Sequence, residues 1–315
     1  MTPDNSQTSR TKFSIVDLML IVMSFVWGVN FSVVKIALTD LSPLSFNAIR
    51  FSIASVVLLA LLWVRERNLR IRREDISRFV LLALVGNTAY QLLFINGIYR
   101  TTAGNSSLLY ATMPIFVATL GSILSVEKVE QEIWGSVILS FIGIILIVGG
   151  TGKTLTITDQ SWIGDLLILA GTICWATYTV LSKPLLKRYT PVKLTTLTVA
   201  IGTLPLFLIS IPALNMQNWD SVSTQGWLSL TYSSCLAIAI GYVIWYTGVT
   251  HIGSARTALY ENLITVIAVA VAWVTLSESM TMLQIIGAAF VFISLYLARR
   301  AKRTKHSARV LSKAG

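Results

Sequence analysis

The 315-residue chain is 54% hydrophobic and only 12% charged, and its mean hydropathy is +0.72. Because soluble domains contain roughly 25% charged residues, this composition excludes an ordinary soluble protein and indicates an integral membrane protein. The net charge of +11 does not predict a nucleic-acid partner, because the basic residues form short runs between apolar segments.

Ten apolar segments follow one another along the chain. A helix needs about 20 apolar residues to cross a hydrocarbon core of roughly 30 Å. Segments of about this length lie at 17–37, 45–64, 76–98, 102–125, 132–150, 163–183, 192–212, 226–249, 254–276 and 281–299. The connections between them are short, so we expect an all-α integral membrane protein with ten transmembrane helices in a compact bundle.

The first and sixth segments are copies of one pattern. Asp17, Trp27 and Lys35 recur as Asp165, Trp175 and Lys183, always 148 residues later. Further along, residues 97, 107 and 127 correspond to 248, 258 and 278, at an offset of 151. This is an internal repeat of about half the chain.

The repeat predicts two inverted halves. Since each repeat contains five helices, an odd number, the second repeat enters the membrane from the other side. Inverted repeats are typical of secondary transporters, in which two similar halves open a central site to either side in turn. We expect a cytoplasmic N-terminal tail at 1–16, a first repeat at 17–150, an extracytoplasmic linker at 151–162, a second repeat at 163–299 and a basic cytoplasmic tail at 300–315.

The distribution of basic residues predicts the orientation. If the N-terminus is cytoplasmic, 21 of the 25 Lys and Arg residues lie on the cytoplasmic side. Only Lys35, Arg50, Arg100 and Lys153 do not. Cytoplasmic loops of membrane proteins carry this excess, so we expect a multi-pass protein of the cell membrane, inner or plasma, with both termini in the cytoplasm.

Several motifs resemble those of a known family. In the first half they are WGVNFSVVK, SPLSFNAIRF, TTAGNSSLL, MPIFVATLGSILSVEK and GSVILSFIGIILIVGG; in the second half CWATYTVLSK, HIGSARTALYENLITVIAVAVAWVTLSES and GAAFVFISLYLARR match more loosely. Their order and duplication resemble the EamA family of the drug/metabolite transporter superfamily. The resemblance implies ten helices, cytoplasmic termini and export of small metabolites, often amino acids.

Two charged residues lie well inside predicted spans, away from the span ends. Glu261 is the only acid well inside a span, and such a residue faces the bundle interior or water, so it is a candidate proton carrier or a hydrogen-bonded structural acid. Arg50 is expected to snorkel to the outer headgroups in a structural or gating role; attraction of a substrate carboxylate or pairing with an acid are the alternatives. Their repeat counterparts are Tyr110 and Thr198.

Uncharged polar and aromatic side chains within the spans predict a substrate pathway, because amides are unfavourable in lipid and an aromatic cavity suits small zwitterions or amphipathic metabolites. The alternatives are interfacial aromatic belts and hydrogen bonds between helices. The candidates are Trp27, Asn30, Phe31, Asn87, Tyr90, Gln91, Asn96, Tyr110, Trp175, Tyr178, Tyr242, Trp245, Tyr246, Tyr260 and Asn262.

The sequence predicts no metal site, cofactor or enzymatic activity. Cys174 and Cys235 lie within apolar segments and lack metal-ligand spacing. The segment GGTGKT at 149–154 lacks the first glycine of a phosphate-binding loop, because position 147 is Ile147. We therefore expect a secondary transporter of small organic metabolites, as a monomer or homodimer, driven by protons or by the substrate gradient. The alternatives are a multidrug or nucleotide-sugar type carrier and, more remotely, a membrane enzyme or sensor.

Overall fold

The computed structural model describes residues 14–100, 106, 109–149, 161–267 and 281–311. The regular structure of this part of the chain is entirely helical, so the all-α prediction is confirmed. In chain order the helices are α1 (Ile15–Asp40), α2 (Pro43–Glu66), α3 (Ile76–Ala83, Leu84–Ala89 and Tyr90–Arg100), α4 (Met113–Ile123), α5 (Gln131–Gly149), α6 (Ser161–Ser182), α7 (Pro191–Met216), α8 (Thr224–Tyr232, Ser233–Ile240 and Gly241–Ile252), α9 (Ser254–Ala258, Leu259–Glu261 and 262–267) and α10 (Met282–Leu311).

Each predicted span overlaps one of these helices. The predicted N-terminal tail and the linker at 151–162 lie almost wholly outside the described residues. The helix α10 continues past the predicted end of the last span to Leu311.

The helices have the length and surface of membrane spans. Among the described residues, six helical stretches are long and apolar enough to cross a bilayer, and three shorter apolar helices lie at Met113–Ile123, Gln131–Ile147 and Met282–Ala298. Large apolar side chains also point outward: Val56 and Trp63 of α2 are 67% and 60% exposed. An outer surface of this kind is expected for contact with lipid. The protein is therefore a multi-pass membrane protein.

The second helix of each repeat begins in the same way. The Ser42 hydroxyl accepts a hydrogen bond from the Ser45 amide at the start of α2, and the Thr190 hydroxyl accepts one from the Lys193 amide at the start of α7. A proline follows each cap, at the first helical position. Proline is favoured there because its fixed backbone angle suits a helix and its missing N–H has no partner to lose. The repeat thus extends to the helix caps.

The two halves pack around a pseudo-two-fold axis. A residue touches its own repeat counterpart only where the two halves meet close to the axis that relates them. Three pairs of counterparts make such contacts: the rings of Trp27 and Trp175 lie 6.0 Å apart, Gln91 donates to the Tyr242 hydroxyl at 2.9 Å, and the hydroxyls of Ser55 and Thr203 share a hydrogen bond of 2.9 Å. The axis passes between these pairs.

A π-helical segment interrupts α3 at Leu84–Ala89 and α8 at Ser233–Ile240. The sequence predicts helices for both stretches, and the structure adds these wider turns at corresponding places in the two repeats. Each is adjacent to an aromatic ring of the other half. A β-carbon on Gly86 would lie 2.2 Å from the ring of Tyr178, so only glycine permits this close contact.

The helices α5 and α10 also approach through glycine, and this contact gives a test of the packing. A β-carbon on Gly143 would lie 2.6 Å from the carbonyl oxygen of Gly287. We expect Gly143→Ala to lower the free energy of unfolding by about 1–3 kcal/mol, because the helices must separate to admit the methyl group. Thermal unfolding of the purified protein in detergent, followed by tryptophan fluorescence, measures the change.

Gly135 on the same helix provides the matched control. No atom lies within 4 Å of the position of an added β-carbon there, and alanine improves helix propensity by up to about 1 kcal/mol. Gly135→Ala should therefore unfold at the same temperature as the parent or a higher one. Equal stability of the two variants would contradict the packing described here.

Candidate functional site

A cavity lies between the two halves, next to the axis. It contains about 460 Å³ of space free of protein atoms, part of which is open to the outside. Its walls come from both repeats and combine aromatic rings with a few polar groups, as ligand pockets usually do. The lining residues are Trp27, Asn30, Phe31, Arg50, Tyr90, Gln91, Phe94, Tyr110, Trp175, Ala237, Ile238, Tyr242 and Ile264.

Arg50 is buried in the wall of this cavity, with 2% of its surface exposed. Its guanidinium donates from Nε to Asn47 Oδ1 at 2.9 Å, from Nη1 to the Ser233 hydroxyl at 3.2 Å and from Nη2 to Gln91 Oε1 at 2.5 Å. The expectation that Arg50 snorkels to the headgroups is therefore wrong. Three neutral oxygens inside the bundle are available to solvate the charge, so the side chain has no need to reach the membrane surface.

Gln91 joins the two halves at the cavity wall. Its amide oxygen accepts from Arg50, and its amide nitrogen donates to the hydroxyl of Tyr242, in the second repeat. The backbone carbonyl of Gln91 also accepts from Asn47 Nδ2 at 3.2 Å. The result is a continuous hydrogen-bonded chain from α2 through α3 to α8.

The π-helical segment of α8 positions Trp27. Wider π turns leave backbone carbonyls free of the regular helical pattern, and here the carbonyl of Ala237 accepts a hydrogen bond of 2.8 Å from Trp27 Nε1. A β-carbon on Gly241 would lie 2.5 Å from that nitrogen. Glycine at this position therefore lets the indole pack directly against the backbone of α8 and form part of the cavity wall.

Aromatic side chains make up most of the remaining wall. The hydroxyls of Tyr90 and Tyr110 share a hydrogen bond of 2.5 Å. Phe31 contacts Phe94 edge to face, with ring centroids 5.9 Å apart, and Tyr90 lies 5.1 Å from the ring of Trp175. These rings present both apolar faces and hydroxyl groups to a ligand.

Glu261 lies behind the cavity wall. It is 3% exposed, and its Oε1 accepts a hydrogen bond of 3.2 Å from Nε1 of Trp175, which does line the cavity. In the described part of the chain, its Oε2 has no hydrogen-bond partner. The carboxyl group is therefore separated from the cavity by a single indole ring.

The remaining candidates from the sequence do not line the cavity, although most of them bond to other helices. Four of them form hydrogen bonds to another helix: Tyr178 to Thr198, Trp245 to Thr179, Tyr260 to Asp17 and Asn262 to Ser140. Tyr246 packs against the Tyr178 ring and Asn87 against Gly202. Asn96 bonds to Leu92 of its own helix.

Several cavity residues were missed by the sequence reasoning. The apolar lining residues Phe94, Ala237, Ile238 and Ile264 resemble ordinary core residues in the sequence. Two residues that bond to Arg50, Asn47 and Ser233, were also missed. Asn47 had a usable signal, because it lies three residues before Arg50 in one helix and so shares its face. Ser233, in the π-helical segment, had none.

Polar contacts close the bundle at the face where α1 begins, which we call the N-terminal face. Glu127, just after α4, forms an ion pair of 2.7 Å with Lys183 and accepts hydrogen bonds from the amide and hydroxyl of Ser254. Nearby, Arg256 forms an ion pair of 3.0 Å with Glu130. These contacts hold the end of α4 against the end of α6 and the start of α9.

A second set of contacts on the N-terminal face links the segment after α6 to the segment before α3. Arg188, after α6, lies 2.7 Å from Glu74 and 3.3 Å from Asp75, which precede α3. The hydrogen bond and the charge of Asp75 raise the pKa of Arg188, so the guanidinium stays charged. Tyr189 also donates to Asp75 at 3.0 Å.

Comparison with known families and proteins is consistent with this architecture. A family model described as the EamA-like transporter family matches residues 14–149 and again residues 162–300. One protein of known crystal structure superposes with a TM-score of 0.72 at 13% sequence identity, over 90% of this chain and 95% of that chain. At that identity the likeness concerns the fold alone.

Two curated relatives cover nearly the whole chain. The uncharacterized transporter YyaM of Bacillus subtilis (strain 168) is 28% identical over 287 residues, which are 89% of this chain and 92% of the relative. A probable terminal-alkyne amino-acid exporter of Streptantibioticus cattleyicolor is 27% identical over 286 residues, again 89% of this chain and 92% of the relative.

Gln91 gives a test of the bridge between the two halves. We expect Gln91→Ala to lower the free energy of unfolding by about 1–3 kcal/mol, because the substitution leaves a buried guanidinium donor without its acceptor. Asn96→Ala is the control, since this half-buried amide lies on the same helix and donates to that helix's own Leu92 carbonyl. Thermal unfolding measures both. A loss for Asn96→Ala as large as that for Gln91→Ala would show that the bridge has no special role.

Proposed function

The chain belongs to the EamA-like transporter family, and from this premise we propose that it exports small organic metabolites, such as amino acids, by alternating access. The observation that carries the proposal is the cavity between the two repeats, with walls from both of them, beside their pseudo-two-fold axis. Secondary transporters built from inverted repeats hold their substrates at such an interface and expose the site to each side in turn.

The contacts at the N-terminal face support a state in which the cavity is closed on that side. The lining residues Asn30 and Phe94 belong to the halves of their helices that lie nearer the opposite face, and Tyr110 precedes the start of α4 on that side. Between the cavity and the N-terminal face lie the buried rings of Trp245 and Tyr246 and then the ion pair of Glu127. Opening toward the N-terminal face requires these contacts to separate.

The excess of Lys and Arg supports the orientation of this closed face. Residues near the N-terminal face, the loop between α2 and α3 and the C-terminal tail contain most of the basic side chains. We therefore place the N-terminal face and both termini in the cytoplasm, in the cell membrane. On this proposal the described state is closed on the cytoplasmic side.

The cavity chemistry supports small polar metabolites as substrates. Asn30, Gln91 and Tyr242 supply hydrogen-bonding groups between aromatic surfaces, an arrangement that can hold the polar and apolar parts of one small molecule. The relative from Streptantibioticus cattleyicolor is named as a probable exporter of an amino acid. Amino acids are therefore the first substrates to test, before drugs or nucleotide sugars.

Counterflow in proteoliposomes tests the transport proposal. Vesicles are preloaded with one unlabelled amino acid, and the entry of the same amino acid in labelled form is followed after dilution. A site that alternates between the two faces will accumulate the label transiently several-fold above equilibrium for at least one amino acid. If none is exchanged while bulky cations or nucleotide sugars are, the substrate class proposed here is wrong.

Glu261 is the proposed proton site, because it is a buried carboxylate joined to the cavity wall through Trp175. In the same vesicles, we expect Glu261→Gln to preserve counterflow within about twofold, since the amide retains an acceptor for the indole N–H, and to abolish the response of transport to a pH gradient. Glu132→Gln removes an exposed acid at the start of α5 and serves as the control. A normal gradient response in Glu261→Gln would exclude this role for the residue.

A further inference from the structure

We propose that Arg50 is a binding subsite for the carboxylate of the transported molecule, so that the substrates are small carboxylates with an apolar or aromatic portion. This inference rests on the proposed function, because it takes the cavity to be the transport site. It goes further by assigning the group that recognises the substrate and the charge that the substrate must carry.

The charge of Arg50 has no compensating acid among the residues that the structure describes. Its acceptors are the side-chain oxygens of Asn47, Gln91 and Ser233, all neutral. Within the described ranges, no carboxylate lies at ion-pair distance from the guanidinium. The rings of Phe46 and Phe51 lie 5.1 and 5.5 Å from its central carbon. The ring faces attract the cation, but neither they nor the neutral oxygens balance its charge, so a carboxylate beside the guanidinium is favoured.

The guanidinium also retains donors that can reach a ligand. Arginine has five N–H donors, and the described contacts use one on Nε, one on Nη1 and one on Nη2. One donor therefore remains on each terminal nitrogen, and the side chain lines the cavity. Two donors on a planar fork match the two oxygens of a carboxylate, which accepts two parallel hydrogen bonds from arginine.

The subsite occurs in only one half of the molecule. The repeat counterpart of Arg50 is Thr198, which bonds to the hydroxyl of Tyr178. The cavity thus has one cationic wall near a pseudo-symmetric axis, and this asymmetry orients a bound molecule. One positive charge balances one carboxylate, whereas a phosphate monoester would bring a second negative charge without a partner among the described lining residues.

The other walls are suited to the remainder of such a molecule. Trp27, Tyr90, Phe94 and Trp175 present aromatic rings to the same cavity. With the carboxylate on Arg50, an apolar or aromatic side chain of the substrate can pack on these rings. Recognition then depends on the anionic group and leaves the side chain loosely specified.

A binding experiment that does not depend on transport tests this inference. The purified protein in nanodiscs is titrated with each of the amino acids, with benzoate and with phenyl phosphate, and thermal unfolding and tryptophan fluorescence report binding. For each carboxylate that binds, the corresponding amide is titrated in parallel. We expect at least one carboxylate to bind, and its amide to bind roughly tenfold to a hundredfold more weakly, the equivalent of losing a charge-assisted pair of hydrogen bonds.

Variants then assign the preference to Arg50. Arg50→Gln should bind the carboxylate and its amide equally, and Arg50→Lys, which retains the charge without the planar fork, should show an intermediate preference. If Arg50→Gln does not fold, the comparison of Arg50→Lys with the parent still decides the matter. Arg100→Gln removes an exposed charge that bonds to Asn96 on its own helix and should retain the full preference of the parent.

The inference would be overturned by binding of no carboxylate, by equal binding of carboxylate and amide by the parent, or by a full preference retained in both Arg50 variants. Stronger binding of phenyl phosphate than of benzoate would also contradict it. If the protein shows counterflow of a neutral or cationic compound but binds no carboxylate through Arg50, the transport proposal stands and only the carboxylate subsite is refuted. If no compound shows counterflow but carboxylates bind through Arg50, the transport proposal is refuted and the subsite stands.

Discussion

Arg50 holds a full positive charge inside a bundle of apolar helices, and the surrounding structure is arranged to tolerate it. A charge removed from water is costly without hydrogen-bond acceptors, and three acceptors come from α2, α3 and α8. Because Ser233 belongs to the second repeat, solvating the guanidinium also fastens the two halves together. Gln91 extends this connection to Tyr242 and places it on the pseudo-two-fold axis. The polar interior is therefore both the joint between the repeats and a wall of the cavity.

The axis explains why similar halves produce a site with distinct ends. Trp27 and Trp175 are repeat counterparts in contact with each other, yet their indole nitrogens bond to different groups, the Ala237 carbonyl and the Glu261 carboxylate. Symmetric packing allows the same helices to close either face in turn. The two repeats carry different residues at counterpart positions, arginine in place of threonine and glutamate in place of tyrosine. These differences make the cavity chemically asymmetric.

Much of the fold could be predicted from the sequence, because hydrophobic length and a fixed repeat offset are direct consequences of spanning a bilayer twice with the same unit. The all-α architecture is confirmed on those grounds. The π-helical segments could not be predicted, since an apolar run does not distinguish wide turns from regular ones and the aromatic rings beside them are distant in sequence. For the site, about half of the amides and aromatic residues predicted from the sequence line the cavity. Arg50 was misplaced because snorkelling is judged from distance to the helix end, whereas acceptors on other helices determine where the side chain lies.

Paired distance measurements on the two faces of the bundle test whether access alternates. With Cys174 and Cys235 replaced by serine, spin labels are attached at the exposed positions Lys128 and His251 on the N-terminal face, and in a second variant at Tyr99 and Asp220 on the opposite face. Each pair has one label in each repeat. Double electron–electron resonance in nanodiscs gives the distance distribution of each labelled pair, with and without the amino acid that is exchanged. The account predicts that one distance lengthens while the other shortens. Two distributions that stay fixed, or that widen together, would contradict it.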